Sequence, residues 1–317
     1  MSIWRKQGGV IGKKGGNDYP SSGSWDVTET YKAANVLPPA VGEFQYTTTG
    51  IHIFVVPAQC NSVSVVCIGG GGGGLFYNNN NSTYTYRMNG GGGGGLVYVP
   101  TITVNPTQTV TIVVGAGGQS GAYSTNSTVG GTSSFGALSA IGGSPGRYNQ
   151  TITGGGGTAG GYSGAVINVG GISAGTGSNG FGPAGGGGAA GYTSYGGTGW
   201  NRASGQPTYS GDGGGGGGWS TNGYLSYGGG GVGIFGAGSS GTQGSANTQA
   251  GGGSGGGSGG TQLGGLYGGG GGGSSSVFFA TGGNGGQGAV RVIFGPGRAF
   301  PSTNTDLASS NGNVTIV

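Results

Sequence analysis

Alternation of apolar and polar residues is confined to a few short runs of this chain, and each predicts a β-strand. FQYTTTGIHIFVVP alternates around Ile51, Ile53 and Val55 and meets a turn at Pro57-Ala58-Gln59. SVSVVCI, from Ser62 to Ile68, places Val63 and Val65 on one face. LVYVPTITV and TVTIVVGAGG follow on either side of Asn105-Pro106, GGTSSFGALSAIGG adds a further candidate, and GAVRVIF (288–294) closes the body much later. These β-branched runs supply the hydrophobic core. Helical periodicity is nearly absent. In SSGSWDVTETYKAAN, Ser24 or Asp26 caps a short helix reaching about Ala34, and Pro38-Pro39 ends it.

Between the strands the chain is glycine. Of 317 residues, 93 are Gly, no Gly-X-Y register holds, and a collagen triple helix is excluded. Uninterrupted runs of six occur at 69–74, 90–95, 213–218 and 268–273. Flexible linker is the simplest reading of such tracts. Ordering glycine costs more backbone entropy than ordering any other residue, and no side chain offsets it. Lateral hydrogen bonding does. Threefold extended strands leave every N–H and C=O pointing outward, and without Cβ atoms they can pack side by side and satisfy one another. Matched tract lengths suit a bundle and serve no purpose in a linker. The fold class expected is an all-β framework with a packed bundle of polyglycine-II helices and little or no α-helix. Its parts are an N-terminal segment (1–43), a β framework with the first glycine islands (44–143), a bundle with aromatic inserts closed by strand 288–294 (144–294), and a tail (295–317).

Charge sharpens this division. Only 5% of residues are Asp, Glu, Lys or Arg, with a net charge of +4. Residues 1–43 hold Arg5, Lys6, Lys13, Lys14 and Lys32 against Asp18, Asp26, Glu29 and Glu43, whereas the arginines beyond stand singly at 87, 147, 202, 291 and 298. Scattered arginines do not form a nucleic-acid face. No apolar run approaches the length of a membrane span, and the start has no apolar core of a signal peptide. Cys60 and Cys67, joined by an extended strand, would stand about 23 Å apart, too far for a disulfide.

Catalysis fails on inventory. His52 is the single histidine, and a strand position suits packing better than chemistry. Six dispersed acids show no paired spacing, and two Cys with one His do not make a zinc set. GGVIGKKGG imitates a phosphate-binding loop, but Gln7 stands where the first Gly is needed and Lys14 where Ser or Thr is. Neither a metal nor a cofactor is expected.

Chemistry is left to the inserts between islands. Tyr84, Tyr86 and Arg87 sit beside Asn78 to Asn81, and Tyr148, Tyr192, Tyr195, Trp200, Tyr209, Trp219, Tyr224 and Tyr227 lie in later inserts. Such rings either cover the ends of the bundle or meet a partner with flat, low-entropy surface. The charged N-terminal segment, with Trp4, Arg5, Lys6, Trp25 and Tyr31, is a docking candidate, the alternative being a frayed terminus.

IFVVPAQCNSVSVVCIGGGGGG, GGGGGLVYVPTITVNPTQTVTIVVGAGG, GGTSSFGALSAIGG and GGNGGQGAVRVIF together resemble the glycine-rich domain of phage tail-fibre and other virion proteins. The alternation of islands with aromatic inserts is similar to the distal adhesins of T-even-like phages. The ending GAVRVIFGPGRAFPSTNT looks like the C-terminus of glycine-rich virion proteins of marine and cyanobacterial phages. The resemblance covers residues 44–304. It implies a sandwich of polyglycine-II helices whose loops bind host receptors, in a virion assembled in the host cytoplasm. The implied partners are other virion proteins, through residues 1–43, and a bacterial surface glycan or outer-membrane protein. Two other readings stay open: a purely structural virion component, such as a capsid decoration, head fibre or tail accessory protein, and an extensible chain without a fixed fold.

Overall fold

The computed structural model describes residues 40–75, 89–121, 125–146, 184–200, 212–218, 226–245, 247–260, 262–273, 282–298 and 300. The segment expected to form a short N-terminal helix lies outside these residues. The regular elements are eight strands, and no α-helix occurs among the described residues: β1 (Gly42–Tyr46), β2 (Gly50–Val55), β3 (Ser62–Ile68), β4 (Leu96–Thr103), β5 (Thr109–Val114), β6 (Ser133–Phe135), β7 (Leu138–Ala140) and β8 (Ala289–Phe294). They form two antiparallel sheets, ordered β1-β8-β3-β4 and β2-β5-β6-β7. The run FQYTTTGIHIFVVP is therefore two strands in different sheets, with Gly50 at φ 131° where the chain changes sheet. GGTSSFGALSAIGG is a hairpin whose two-residue turn carries Gly136 at φ 55°, a left-handed position that primed turns require.

The sheets face each other across one core, built from Phe54, Val63, Val65, Val99, Ile112, Phe135, Leu138, Val290, Val292 and their neighbours. Alternation along β2 runs opposite to a core-facing role for the isoleucines. Phe54 and Val56 point inward, while Ile51 (74% exposed), Ile53 (58%) and Val55 (56%) face outward. Rings decide this. Phe54 meets Phe44 edge-on at 5.7 Å and Phe135 at 5.9 Å, filling the sandwich as a branched aliphatic could not.

The other face of the first sheet carries a second cluster of Val66, Ile68, Leu96, Ala289 and Ile293 against Ala189, Ala190, Tyr192, Val232, Ile234 and Phe300. Coverage on both faces explains why β8 is buried at all six positions and β3 at six of seven. It also accommodates Arg291. This residue is 3% exposed, ion-paired to Glu43 with Nε donating at 3.0 Å, and lies 4.8 Å from the Phe235 ring. Cys60 and Cys67 are buried free thiols.

Six strands continue into glycine-rich tracts, β6 and β7 across one intervening residue each, Thr132 and Ile141. Gly69 follows β3, Gly95 precedes β4, Gly115 follows β5, residue 132 precedes β6, residue 141 follows β7, and Gly288 precedes β8. The tract after β3 shows what holds them. Gly69, Gly72 and Leu75 donate to Gly95, Gly92 and Asn89; Gly70 and Gly73 donate to Gly131 and Thr128; Gly71 and Gly74 donate to Gly286 and Gly283. Its carbonyls accept in the same rotation, Gly71 and Gly74 from Gly118 and Gly121, Gly70 and Gly73 from Gly143 and Gly146. The pattern repeats every third residue, where a β-strand would repeat every second. Space follows the same period. A Cβ built on Gly69 or Gly72 would strike Ile141 or Ser144, on Gly70 or Gly73 Ala116 or Gln119, and on Gly71 or Gly74 Gly269 or Gly272. Every position meets backbone, so every position is glycine. Tracts within 69–146 and within 184–288 are bonded to each other, as in Gly187 N to Gly91 O (2.9 Å) and Gly271 N to Gly72 O (2.9 Å).

Candidate functional site

The bundle has two unlike ends. At the end nearest the sandwich, turns close onto the first sheet. The turn at 191–196 is organised by Asp212, the one acid between Glu43 and Asp306. Its buried carboxylate accepts from the Tyr192 N–H (3.0 Å), the Thr193 N–H (3.1 Å), the Thr193 hydroxyl (3.1 Å) and the Ser194 hydroxyl (2.7 Å). Its own carbonyl accepts from Ser254 Oγ at 3.0 Å. A carboxylate satisfied by this many donors is a structural tie rather than a free acid.

Tyr192, expected among the partner-facing rings, belongs to this tie. It is 2% exposed, stacked on Phe300 at 6.1 Å and tilted against Tyr98 at 5.7 Å. Its hydroxyl donates to Gly233 O (3.0 Å) and accepts from Gly236 N (3.2 Å). Burial holds its phenol well above the ordinary tyrosine range. Tyr192 is a core residue, and its assignment as a contact residue is corrected. Tyr195 is 63% exposed but stands on the same turn, at the sandwich end.

At the opposite end the tracts terminate together. Leu75 N donates to Asn89 O (3.0 Å), Gly121 N to Gly74 O (3.0 Å) and Gly146 N to Gly73 O (2.9 Å). Ser226 Oγ lies 2.7 Å from both Ala184 O and Gly273 O. Tyr227 N donates to Gly218 O (3.0 Å), and Gly74 N to Gly283 O (2.8 Å). Five segments, 76–88, 122–124, 147–183, 219–225 and 274–281, thus have both of their flanking stems on one face. That face lies remote from Gly42 and Phe294, which are paired at the far edge of the sandwich.

Among the expected contact residues, Trp200 and Tyr227 are half-buried on the tract ends of this remote face, with main chains locked by Trp200 N to Gly217 O (2.8 Å) and Tyr227 O to Gly186 N (3.1 Å). Tyr84, Tyr86, Arg87, Tyr148, Tyr209, Trp219 and Tyr224, like the docking candidates Trp4, Arg5, Lys6, Trp25 and Tyr31, lie outside the described residues. The stems of the segments holding Tyr84, Tyr86, Arg87, Tyr148, Trp219 and Tyr224 are all on the remote face. Composition alone missed Asp212, although its isolation ahead of a six-glycine tract was a readable signal. Among the described residues no group of three His, Cys, Asp or Glu comes together, and no helix is long and apolar enough to cross a membrane.

The described residues thus form a two-sheet sandwich whose strands run on into a laterally bonded glycine bundle. The chain matches the glycine-rich domain over residues 47–295, and it belongs to that family. Comparison with curated proteins finds no match.

Proposed function

We propose that this is a non-catalytic phage virion protein of the tail fibre or tip, a host-receptor adhesin presenting aromatic loops on a polyglycine-II scaffold. The three-residue rotation of bonds and of Cβ directions along 69–75 supports the polyglycine-II reading, because a threefold strand packed on six neighbours has that period. One observation carries the adhesin reading: the stems of five inserts, among them the Tyr- and Trp-bearing 76–88, 147–183 and 219–225, end on one face opposite the paired strand ends Gly42 and Phe294. Residues 1–43 would then hold other virion proteins while the remote face meets a bacterial surface glycan or outer-membrane protein. The inserts supply Tyr, Trp, Asn, Ser and Arg, a vocabulary suited to flat, adaptable contact.

Particles in which 76–88 and 219–225 are replaced by Gly/Ser segments of equal length are expected to assemble but to lose adsorption to host cells. Assembly with unchanged adsorption refutes the adhesin reading and leaves the structural one.

A further inference from the structure

The four sheet edges of the sandwich are not protected alike. β4 carries Pro100 and a register shift opposite Val63–Val65, both of which discourage further pairing. β7 is three residues long. β1 carries the ion-paired Glu43. β2 has none of these devices, and no described residue pairs with its outer edge. It is six residues long, unbroken in register with β5, and free of Pro and charge. Val56 directs both its N–H (to Gln108 O, 2.9 Å) and its C=O (from Thr107 N, 2.9 Å) toward the β5 side. Alternation therefore turns the peptide groups of Phe54 and His52 the same way and those of Ile51, Ile53 and Val55 to the open edge. The side chains of these three residues are the exposed apolar row. Just inside the same edge, Phe44 and Tyr46 are only half-buried, and Tyr46 lies 5.3 Å from His52. One more strand would complete this flank.

The chain contains a sequence of the right chemistry outside the described residues. Val314-Thr315-Ile316-Val317 repeats, residue for residue, Val110-Thr111-Ile112-Val113 of β5, the sequence that fills the other edge of β2. In β5 this tetrapeptide buries Val110 and Ile112 in the core and turns Thr111 and Val113 outward beside Ile53 and Ile51. We propose that residues 313–317 add to the open edge of β2 as a fifth strand of the second sheet. Val314 and Ile316 would then cover Phe44 and Tyr46, and main-chain bonds would satisfy Ile51, Ile53 and Val55.

The same molecule supplies the strand. Phe300 is fixed against Tyr98 of β4 at 6.3 Å, and the 13 residues to Asn313 can span up to about 45 Å. The route crosses three strand spacings of about 4.8 Å and one sheet separation of about 10 Å, well within reach. A tether of this length holds the segment at an effective concentration of the order of millimolar, above that of a second copy in dilute solution.

Hydrogen exchange tests this directly. In the full chain the amides of Ile51, Ile53 and Val55 are expected to exchange about tenfold more slowly than in a chain ending at residue 312. A synthetic peptide of residues 309–317 should restore protection to the shortened chain, and the same peptide carrying Ile316→Asp should not. In the full chain, Thr315→Pro should expose the three amides while those of His52 and Phe54, bonded to β5, stay protected. That variant keeps the test valid even if the shortened chain fails to fold. Equal exchange at the three amides in the parent and in Thr315→Pro overturns the proposal. Protection that appears only with rising protein concentration, together with dimers in sedimentation, overturns the intramolecular assignment. Host adsorption plays no part in these readouts, so failure here is separate from failure of the adhesin reading.

Discussion

Replacing Gly71 by alanine puts a single methyl group where the bundle has no room. The new Cβ would fall inside 3.0 Å of Gly269 O and 2.9 Å from Gly268 O. Neither is a side chain that can rotate away. Their tract is held from other sides by Gly94 N to Gly268 O (2.6 Å), Gly286 N to Gly269 O (2.7 Å) and Gly270 N to Gly187 O (2.8 Å). Overpacking of this kind costs about 1–3 kcal/mol, occasionally more. Moving the tract aside instead breaks at least one buried bond, leaving a donor and an acceptor unpaired at about 1–3 kcal/mol each. The cheaper route sets the loss at about 3 kcal/mol, a large share of a total stability of about 5–15 kcal/mol. Gly260 provides the control. A Cβ there meets only Leu263, its Cβ at 3.4 Å and its carbonyl oxygen at 3.7 Å, with the backbone outside the left-handed region, so Gly260→Ala should stabilise by about 0.4–1 kcal/mol through the unfolded chain. Equilibrium urea unfolding followed by tryptophan fluorescence measures both. An alanine scan of 69–74 should destabilise at all six positions, with no alternation. A Gly71→Ala protein no less stable than Gly260→Ala would refute the packed bundle, and an every-second-residue pattern would refute its threefold character.

Other expectations follow from the same contacts. Asp212→Ala removes the acceptor shared by Tyr192, Thr193 and Ser194 and should cost about 3 kcal/mol or more, read from the urea midpoint. Tyr192→Phe leaves the buried Gly233 O and Gly236 N–H unpaired, so a loss of about 2 kcal/mol or more with unchanged host adsorption is expected; impaired adsorption in a stable variant would return this ring to the contact surface. Burial pushes the Cys67 thiol above its ordinary value of 9.0 and the Tyr192 phenol above 10.0. The unfolded chain therefore releases these protons first. Stability from both groups is complete below about pH 9 and falls as pH rises, by up to about 1.4 kcal/mol per pH unit for each group. Urea midpoints between about pH 8 and pH 10 should show this decline, flatter in Cys67→Ala over the first unit above pH 9; an identical slope in that variant would exclude the thiol as its source.

The strands were legible because Val, Ile and Phe stand out against a background of glycine, and periodicity two is read easily there. Orientation was less legible. Alternation in GIHIFVV defines two faces but does not say which is inside, and the answer depended on rings from β1 and β6 that meet Phe54 from elsewhere in the chain. The role of Tyr192 was illegible for a related reason. A ring between two islands is a plug at the sandwich end of the bundle, and the sequence does not say at which end each insert falls. Tract partners could not be read at all, since glycine offers neighbours no side chain to distinguish them.

That lack of distinction makes the sandwich a condition of the bundle. Identical tracts could slide by three residues against each other and recover the same bonds, so a free glycine bundle would have many registers of equal energy. Six tracts here emerge from paired strands, and strand pairing is specified by side chains: a one-residue slip of β3 against β8 would turn Val63, Val65 and Cys67 out of one core and Val66 and Ile68 out of the other. Register set at Ile68, Leu96, Val114 and Ala289 is carried outward by the lattice to Leu75, Asn89, Gly121 and Gly282, where the remote stems converge. Register thus reaches the stems from the strands behind them, which is what the proposed adhesin role asks of a scaffold whose loops vary with the partner.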